Sequence, residues 1–209
     1  MIEIIDNAIQ LFVTTGCALW AGTLAARRKS QSYFILACFY GTFALGLLFW
    51  LSYLVIMTDT PKIFYVSDLS WFASFLFLLL FNITLATPEE RGNQSVAAWL
   101  VAAVPAAVTV CFLFWGDVFG TLLWCPLLTV CTYYSARGLL CARKKTGEGR
   151  RRQWIHLAVL FVIFTEFALW TLSYFFKSAT IESPYFWCDF VLSGALFLLM
   201  PAMQRVVDA

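Results

Sequence analysis

The sequence predicts an all-α integral membrane protein of seven transmembrane helices, and three observations predict it. Hydrophobic residues make up 62% of the 209 and charged residues only 12%, with a mean hydropathy of +0.81. A soluble domain holds roughly half apolar and a quarter charged residues, so this chain has too little polar surface to cover a core in water. The apolar residues gather into seven stretches, each near the ~20 residues that cross a bilayer core. Lysine and arginine are spread unequally over the short connections, which sets a topology.

The stretches run over approximately 4–26, 32–57, 67–86, 96–115, 118–141, 153–176 and 186–206. The first has Glu3 and Asp6 ahead of its apolar run and Arg27 and Arg28 behind it. That is the reverse of a cleavable signal peptide, so it is expected to remain as a helix. Glu3, Asn7, Gln10, Thr14 and Cys17 recur along it at steps of four and three, which puts them on one helix face. Lipid cannot satisfy amides, so this stripe is expected to face protein or a water-filled cavity. The second stretch ends in Leu51, Ser52 and Tyr53, and the third opens on Asp68. The fourth, rich in Ala and Val, reads as a spacer. The fifth has a weaker polar stripe, Cys125, Thr129 and Thr132, and Pro126 is expected to disturb its outer turns. The sixth carries Glu166 and the seventh opens on Asp189. Trp71, Trp99, Trp115, Trp154 and Trp187, near stretch ends, read as interfacial anchors, whereas Trp50 and Trp170 are deeper and suited to cavity walls.

One side of the membrane would carry Arg27, Arg28, Lys29, Arg91, Arg137, Arg143, Lys144, Lys145, Arg150, Arg151, Arg152 and Arg205, and the other only Lys62 and Lys177. Twelve cations against two place the N-terminus outside and the C-terminus inside, in a multi-pass protein of the cell membrane. The basic loops 27–31, 87–95 and 142–153 share the inner side. The basic run from Arg143 to Arg152 is a topology signal, with anionic lipid as a further contact. Seven cysteines without a C-x-x-C and a single histidine, His156, give no disulfide framework and no histidine-based metal cluster.

A stretch is written twice. "LSYLVIMTDTPKIFYVSD" begins at Leu51 and "LSYFFKSATIESPYFWCD" at Leu172; each reaches an aspartate sixteen residues after its serine. At the same offset of 121, Leu36 meets Leu157, Phe43 meets Phe164 and Leu78 meets Leu199, and at 116 Gly22 meets Gly138 and Arg27 meets Arg143. The pattern predicts two parallel three-helix repeats joined by a linker helix, 3+1+3, with domains 1–86, 87–117 and 118–209 and a pseudo-two-fold axis along the membrane normal.

Glu166 is the leading candidate for chemistry. It lies roughly 18 Å along its span at 1.5 Å per residue, near the midplane, where a carboxylate is costly unless paired, hydrated or protonated. Its repeat mate is Leu45. It reads either as a proton-carrying or cation-binding group or as a neutral acid hydrogen-bonded between helices. Trp170, Ser173 and Tyr174 follow at i+4, i+7 and i+8, extending its face toward the repeated Ser-Tyr. His156, roughly 15 Å inward, is a satisfied or interfacial histidine or the start of a relay. Asp68 and Asp189 either cap their helices, hold the Ser-Tyr of their own repeat, or line an outer vestibule together. The candidate substrate- or proton-binding set is thus Glu166, Trp170, Ser173, Tyr174, Ser52, Tyr53, Asp68, Asp189, Asn7 and Gln10.

The 3+1+3 layout resembles that of the SWEET and PQ-loop transporters over the whole chain, at the level of topology; the Pro-Gln dipeptide that names the second group is absent. No lysine follows Lys177, so the seventh span lacks the retinal lysine of microbial rhodopsins. The stretch "FYVSDLSWFASFLFLLL", Phe64 to Leu80, looks like that of small seven-span bacterial membrane proteins. The parallel repeat, the midplane Glu166 and the polar faces of the first and sixth stretches lead to the expectation of a small transporter or permease, coupled to protons or a cation. A seven-helix sensor or regulatory partner is the other expectation. No nucleophile motif, phosphate loop or metal spacing is present, so neither an enzyme nor a cofactor or metal is expected. The expected partners are the lipid bilayer, a small molecule or ion, and a second copy or another membrane or cytosolic protein; nucleic acid is not expected.

Overall fold

The computed structural model describes residues 2–57, 66–114, 118–143, 147–176 and 182–207. Lys62, Lys144, Lys145 and Lys177 of the charge pattern, and Trp115 of the interfacial set, lie outside the described residues. The described residues form eight helices: α1 Ile2–Arg28, α2 Gln31–Met57, α3 Val66–Leu85, α4 Pro88–Gly92, α5 Val96–Phe114, α6 Val118–Arg143, α7 Glu148–Phe175 and α8 Pro184–Val207. All but α4 are long and apolar enough to span a membrane. Large apolar side chains stand open at the surface, among them Phe12 (81% exposed), Ile56 (75%) and Leu100 (68%). That is the pattern of a protein whose solvent is lipid.

Three features differ from the sequence expectations. The helices overrun the apolar stretches where bases follow: α1 ends at Arg28, α6 at Arg143, and α7 begins ahead of the arginine run 150–152. Cations are favoured at helix C-termini, and long basic side chains can leave the apolar zone while their backbone stays helical. α6 is continuous through Pro126; a proline-freed carbonyl in a span can be satisfied by neighbours or water. The short α4 falls where a plain loop was expected. Thr87 caps it, its side chain accepting from Glu90 N while the Glu90 carboxylate accepts from Thr87 N, with Pro88 in the first turn. This reciprocal box satisfies free amides at a helix start.

By spatial contact the chain forms two compact units: Met1–Phe77 with Thr165–Phe197, and Leu78–Phe164 with Leu198–Ala209. The grouping follows packing and rests on a different basis from the sequence boundaries. In the first unit α1 packs against α2. Its buried face is Asp6, Asn7, Gln10, Thr14, Cys17 and Ala21, so α1 turns its polar stripe inward and its apolar face out. Tyr33, Leu36, Phe39, Tyr40, Phe43, Leu47 and Phe75 are all but fully buried, with Phe39 and Phe75 edge to face at 6.4 Å. The Tyr40 hydroxyl donates to Leu196 O at 2.6 Å. In the second unit α5 packs against α6, with Trp99 stacked on Tyr133 at 4.2 Å. There the Ser135 hydroxyl donates to Asn82 Oδ1 at 3.0 Å.

Candidate functional site

The first unit holds a cavity of about 570 Å³. Its acidic lining is Glu3, Asp68, Glu166 and Asp189; its amides are Asn7 and Gln10; its aromatic walls include Phe43, Trp50, Trp71, Trp170, Tyr185 and Phe186. Each element delivers its group for a legible reason. α1 brings Asn7 and Gln10 on its inward polar stripe. α7 brings Glu166, Trp170 and Ser173 at i, i+4 and i+7, one face of a helix. α8 brings Tyr185 and Asp189, again four apart.

Seven of the ten candidates line this cavity: Asn7, Gln10, Asp68, Glu166, Trp170, Ser173 and Asp189. Ser52, Tyr53 and Tyr174 are not among the lining residues. Ser52 and Ser173 are both exposed, and each hydroxyl donates to a carbonyl of its own preceding turn, Leu48 O and Trp170 O, at 2.7 Å. Asp68 is the third residue of α3, within capping range, but Asp189 is the sixth of α8. The aspartate therefore stands past the free amides of its helix start, and its Oδ1 accepts from Gln10 Nε2 at 2.8 Å instead.

The electrostatics are unusual for buried acids. Asp6, Asp189 and Glu166 are 1%, 3% and 6% exposed. Asp6 and Asp189 interact directly through their carboxyl groups, and Tyr185 faces Asp189, Asp6, Glu3 and Glu166. Asp6 Oδ1 accepts from Asn7 N at 2.7 Å and Asn7 Nδ2 at 3.2 Å, while the enclosed Asp6 Oδ2 and Glu166 Oε2 have no hydrogen-bond partner among the described residues. Among the described residues no lysine or arginine forms an ion pair with Asp6, Asp189 or Glu166. Buried carboxyls without basic partners are tolerated when they carry protons or meet a cation or water.

The cavity wall depends on a glycine. A Cβ at Gly46 would stand 2.7 Å from Trp71 Nε1 and 2.8 Å from its Cδ1, so a bare backbone on α2 seats that indole. Trp71 in turn lies 5.8 Å from Trp50 and 6.4 Å from Phe43, centroid to centroid. The structure thus corrects the reading of Trp71 as an interfacial anchor, since it is a cavity wall, and places the deeper Trp50 and Trp170 there with it. Sequence reasoning missed two members of the cluster. Asp6 was weighed only against a signal peptide, although it lies four before Gln10 on the same face. Tyr185 lies four before Asp189, but just ahead of the seventh apolar stretch, whose start at about 186 left it out.

A second buried carboxylate, Glu90, lies in the other unit and is handled differently. Arg152 Nε donates to Glu90 Oε1 at 2.9 Å and Arg152 Nη2 to Oε2 at 3.1 Å. His156 Nε2 stands 3.6 Å from Oε1, too long for a hydrogen bond, so its influence is electrostatic. Burial raises Glu90, but the contacts from His156 and Arg152 outweigh it and hold the carboxyl down at about 2. His156 is 3% exposed and packs on Gly138, where a Cβ would come within 2.2 Å of its ring. Neither of its ring nitrogens has a hydrogen-bond partner. The same unit has an apolar groove formed by Trp154, Leu157, Ala158, Phe161, Leu198, Pro201 and Ala202, with Arg205 at 5.5 Å over the Trp154 ring.

Seven spans and a cavity lined by buried acids define a multi-pass helical membrane protein with an internal polar site. No family model, curated protein or solved structure matches the chain.

Proposed function

We propose that the chain is a small transporter or permease in which Glu166 couples substrate movement to protons or a cation. The observation that carries this reading is Glu166 itself: 6% exposed, in the wall of a cavity of about 570 Å³, with an enclosed Oε2 that has no hydrogen-bond partner among the described residues. A group in that position is stabilised by what it binds, and the binding of a proton or cation from the cavity supplies a coupling step. The protein has the N-terminus outside and the C-terminus inside. Its two triplets are parallel repeats that rock about a membrane-normal axis. The presence of Asp68 and Asp189 in one cavity wall supports the duplication. On this reading the chain acts as a carrier and not as an enzyme.

The alternative is a sensor or membrane-embedded regulatory partner, favoured by the exposed Arg143, Arg150 and Arg151, which offer a cytosolic protein a basic surface. Proteoliposomes with an imposed pH gradient separate the two. A transporter acidifies or alkalinises the lumen when its substrate is added, and Glu166→Gln abolishes the coupling while the protein still reconstitutes. A Gln variant with full coupled flux makes Glu166 structural. Absence of flux with every substrate class leaves the sensor reading in place. For orientation, Gly147→Cys in a cysteine-free background should react with impermeant thiol reagents only from the inside, and Glu182→Cys only from the outside.

A further inference from the structure

We propose that the acid-lined cavity binds a small organic ammonium ion, with its charge against Glu166 and its apolar substituents against Trp50 and Trp71. The proposal rests on the reading of this cavity as a binding site and names the class of ligand. It follows from three properties that together select among cations.

The first is the unsatisfied acid. Glu166 is more than nine-tenths buried and lines the cavity, and its Oε2, enclosed in the wall, meets no hydrogen-bond donor among the described residues. A ligand bearing N–H groups or a diffuse positive charge would supply what the protein does not. The second is the arrangement of donors. Among the described residues no three carboxyl, imidazole or thiol groups converge closely enough to chelate a metal ion. A compact inorganic ion needs several oxygens at once, and no such group is present among the described residues. The third is size and wall chemistry. A volume of about 570 Å³ falls within the range of small-molecule sites and far exceeds the space a monatomic ion fills. Its faces are aromatic: Trp50 and Trp71 both line it, with ring centroids 5.8 Å apart and planes at 46°. Indole faces attract ammonium groups through their quadrupole, and aromatic walls recognise alkylated ammonium ions. An acidic group with a pair of indoles holds the charge and the carbon skeleton at once, which neither does alone.

The test is binding of a probe series to the full chain purified in detergent micelles, by calorimetry. The probes are tetramethylammonium, choline and benzyltrimethylammonium chlorides, with 3,3-dimethylbutan-1-ol as the neutral isostere of choline. We expect saturable binding of at least one ammonium probe, about tenfold or more tighter than the isostere. Glu166→Gln should weaken it about tenfold, and Trp50→Leu several-fold, in preparations that elute as wild type. Asp189→Asn serves as a second charge variant if Glu166→Gln does not fold. Equal binding of choline and its isostere, no saturable binding of any probe up to about 10 mM, or wild-type affinity in the folded variants overturns the proposal. The outcome is separable from that for transport. Binding without flux in proteoliposomes sinks the transporter reading and leaves the ligand class standing, whereas coupled flux without ammonium binding does the reverse.

Discussion

Glu90 and Glu166 are both glutamates almost wholly removed from solvent, at 3% and 6% exposure, and the protein treats them in opposite ways. Glu90 caps its helix through Thr87, receives a two-pronged guanidinium from Arg152 and has His156 nearby. Glu166 lines a cavity and has an oxygen with no hydrogen-bond partner among the described residues. Burial is common to the two and so cannot tell structure from function; the inventory of partners can. A carboxylate whose oxygens are all engaged by the protein is a brace. One whose oxygen is left over, in a cavity wall shared with Asp189 and with the amides of Asn7 and Gln10, is held in reserve for something that is not part of the chain.

The comparison makes its largest forecast for stability. Removing one member of a buried ion pair strands the other charge and typically costs about 3–5 kcal/mol. Arg152 is 14% exposed in its side chain, so the lower end applies. Glu90→Ala should therefore destabilise the protein by about 3 kcal/mol, read as a drop in the thermal unfolding midpoint in micelles. Glu166→Gln should shift stability by less than about 1 kcal/mol or raise it, because no partner is stranded and a costly acid is removed. Equal losses at the two positions would erase the distinction drawn between them.

The two glycines sharpen the same contrast at smaller scale. Gly138 admits His156 to the Glu90 cluster, and Gly46 admits Trp71 to the cavity wall. At Gly138 a Cβ would meet three ring atoms at 2.2, 2.4 and 2.7 Å, whereas at Gly46 the closest approaches are 2.7 and 2.8 Å to the indole edge. Overpacking of this kind costs about 1–3 kcal/mol. Gly138→Ala should fall at the upper end, because His156 is 3% exposed and has little space to retreat. Gly46→Ala should fall at the lower end, because the indole borders a cavity, and its main effect should be weaker ammonium binding. A melting series with calorimetric binding on the same samples checks both, and the reverse ranking would count against the brace.

How much of this was legible in the sequence depends on whether a feature is periodic. The seven spans were legible because hydropathy averages over ~20 residues. The inward face of α1 and the group Glu166, Trp170 and Ser173 were legible because helical spacing alone puts them together. Helix ends were not: α7 begins at Glu148 rather than near 153, since a hydropathy pattern cannot see a helix that continues into the arginines. The Glu90 brace had a signal, Thr87-Pro88-Glu89-Glu90, a capping box that was read as part of a basic loop. Its partners Arg152 and His156 stand more than sixty residues away in sequence, a separation no local pattern bridges. Asp6 and Tyr185 are the corresponding losses around the cavity: each lies four before a candidate, Gln10 or Asp189, but only the contact between α1 and α8 shows that the two faces meet.

The pH response of Glu90 is the smallest effect within the workable range and the most direct check on the brace. Burial alone would raise this carboxyl, yet the neighbouring His156 and Arg152 hold it at about 2, against ~4.3 for an ordinary glutamate. A folded-state value below the unfolded one means that the unfolded chain takes up protons first as pH falls. The stabilisation from this group is therefore complete above the unfolded value and is lost progressively as pH falls from ~4.3 toward the folded value of about 2. Wild-type protein in micelles should show no Glu90-dependent change in unfolding midpoint between roughly pH 7 and pH 5, followed by a decline at lower pH. Glu90→Gln should start from a lower midpoint and lose that part of the acid-limb decline, so the difference between the two proteins narrows as pH falls. Arg152→Gln should weaken the hold on Glu90 and start the decline at higher pH. A wild-type minus Glu90→Gln difference that is constant down to about pH 3 would show that the carboxylate's charge contributes nothing, and that α4 is held by shape alone.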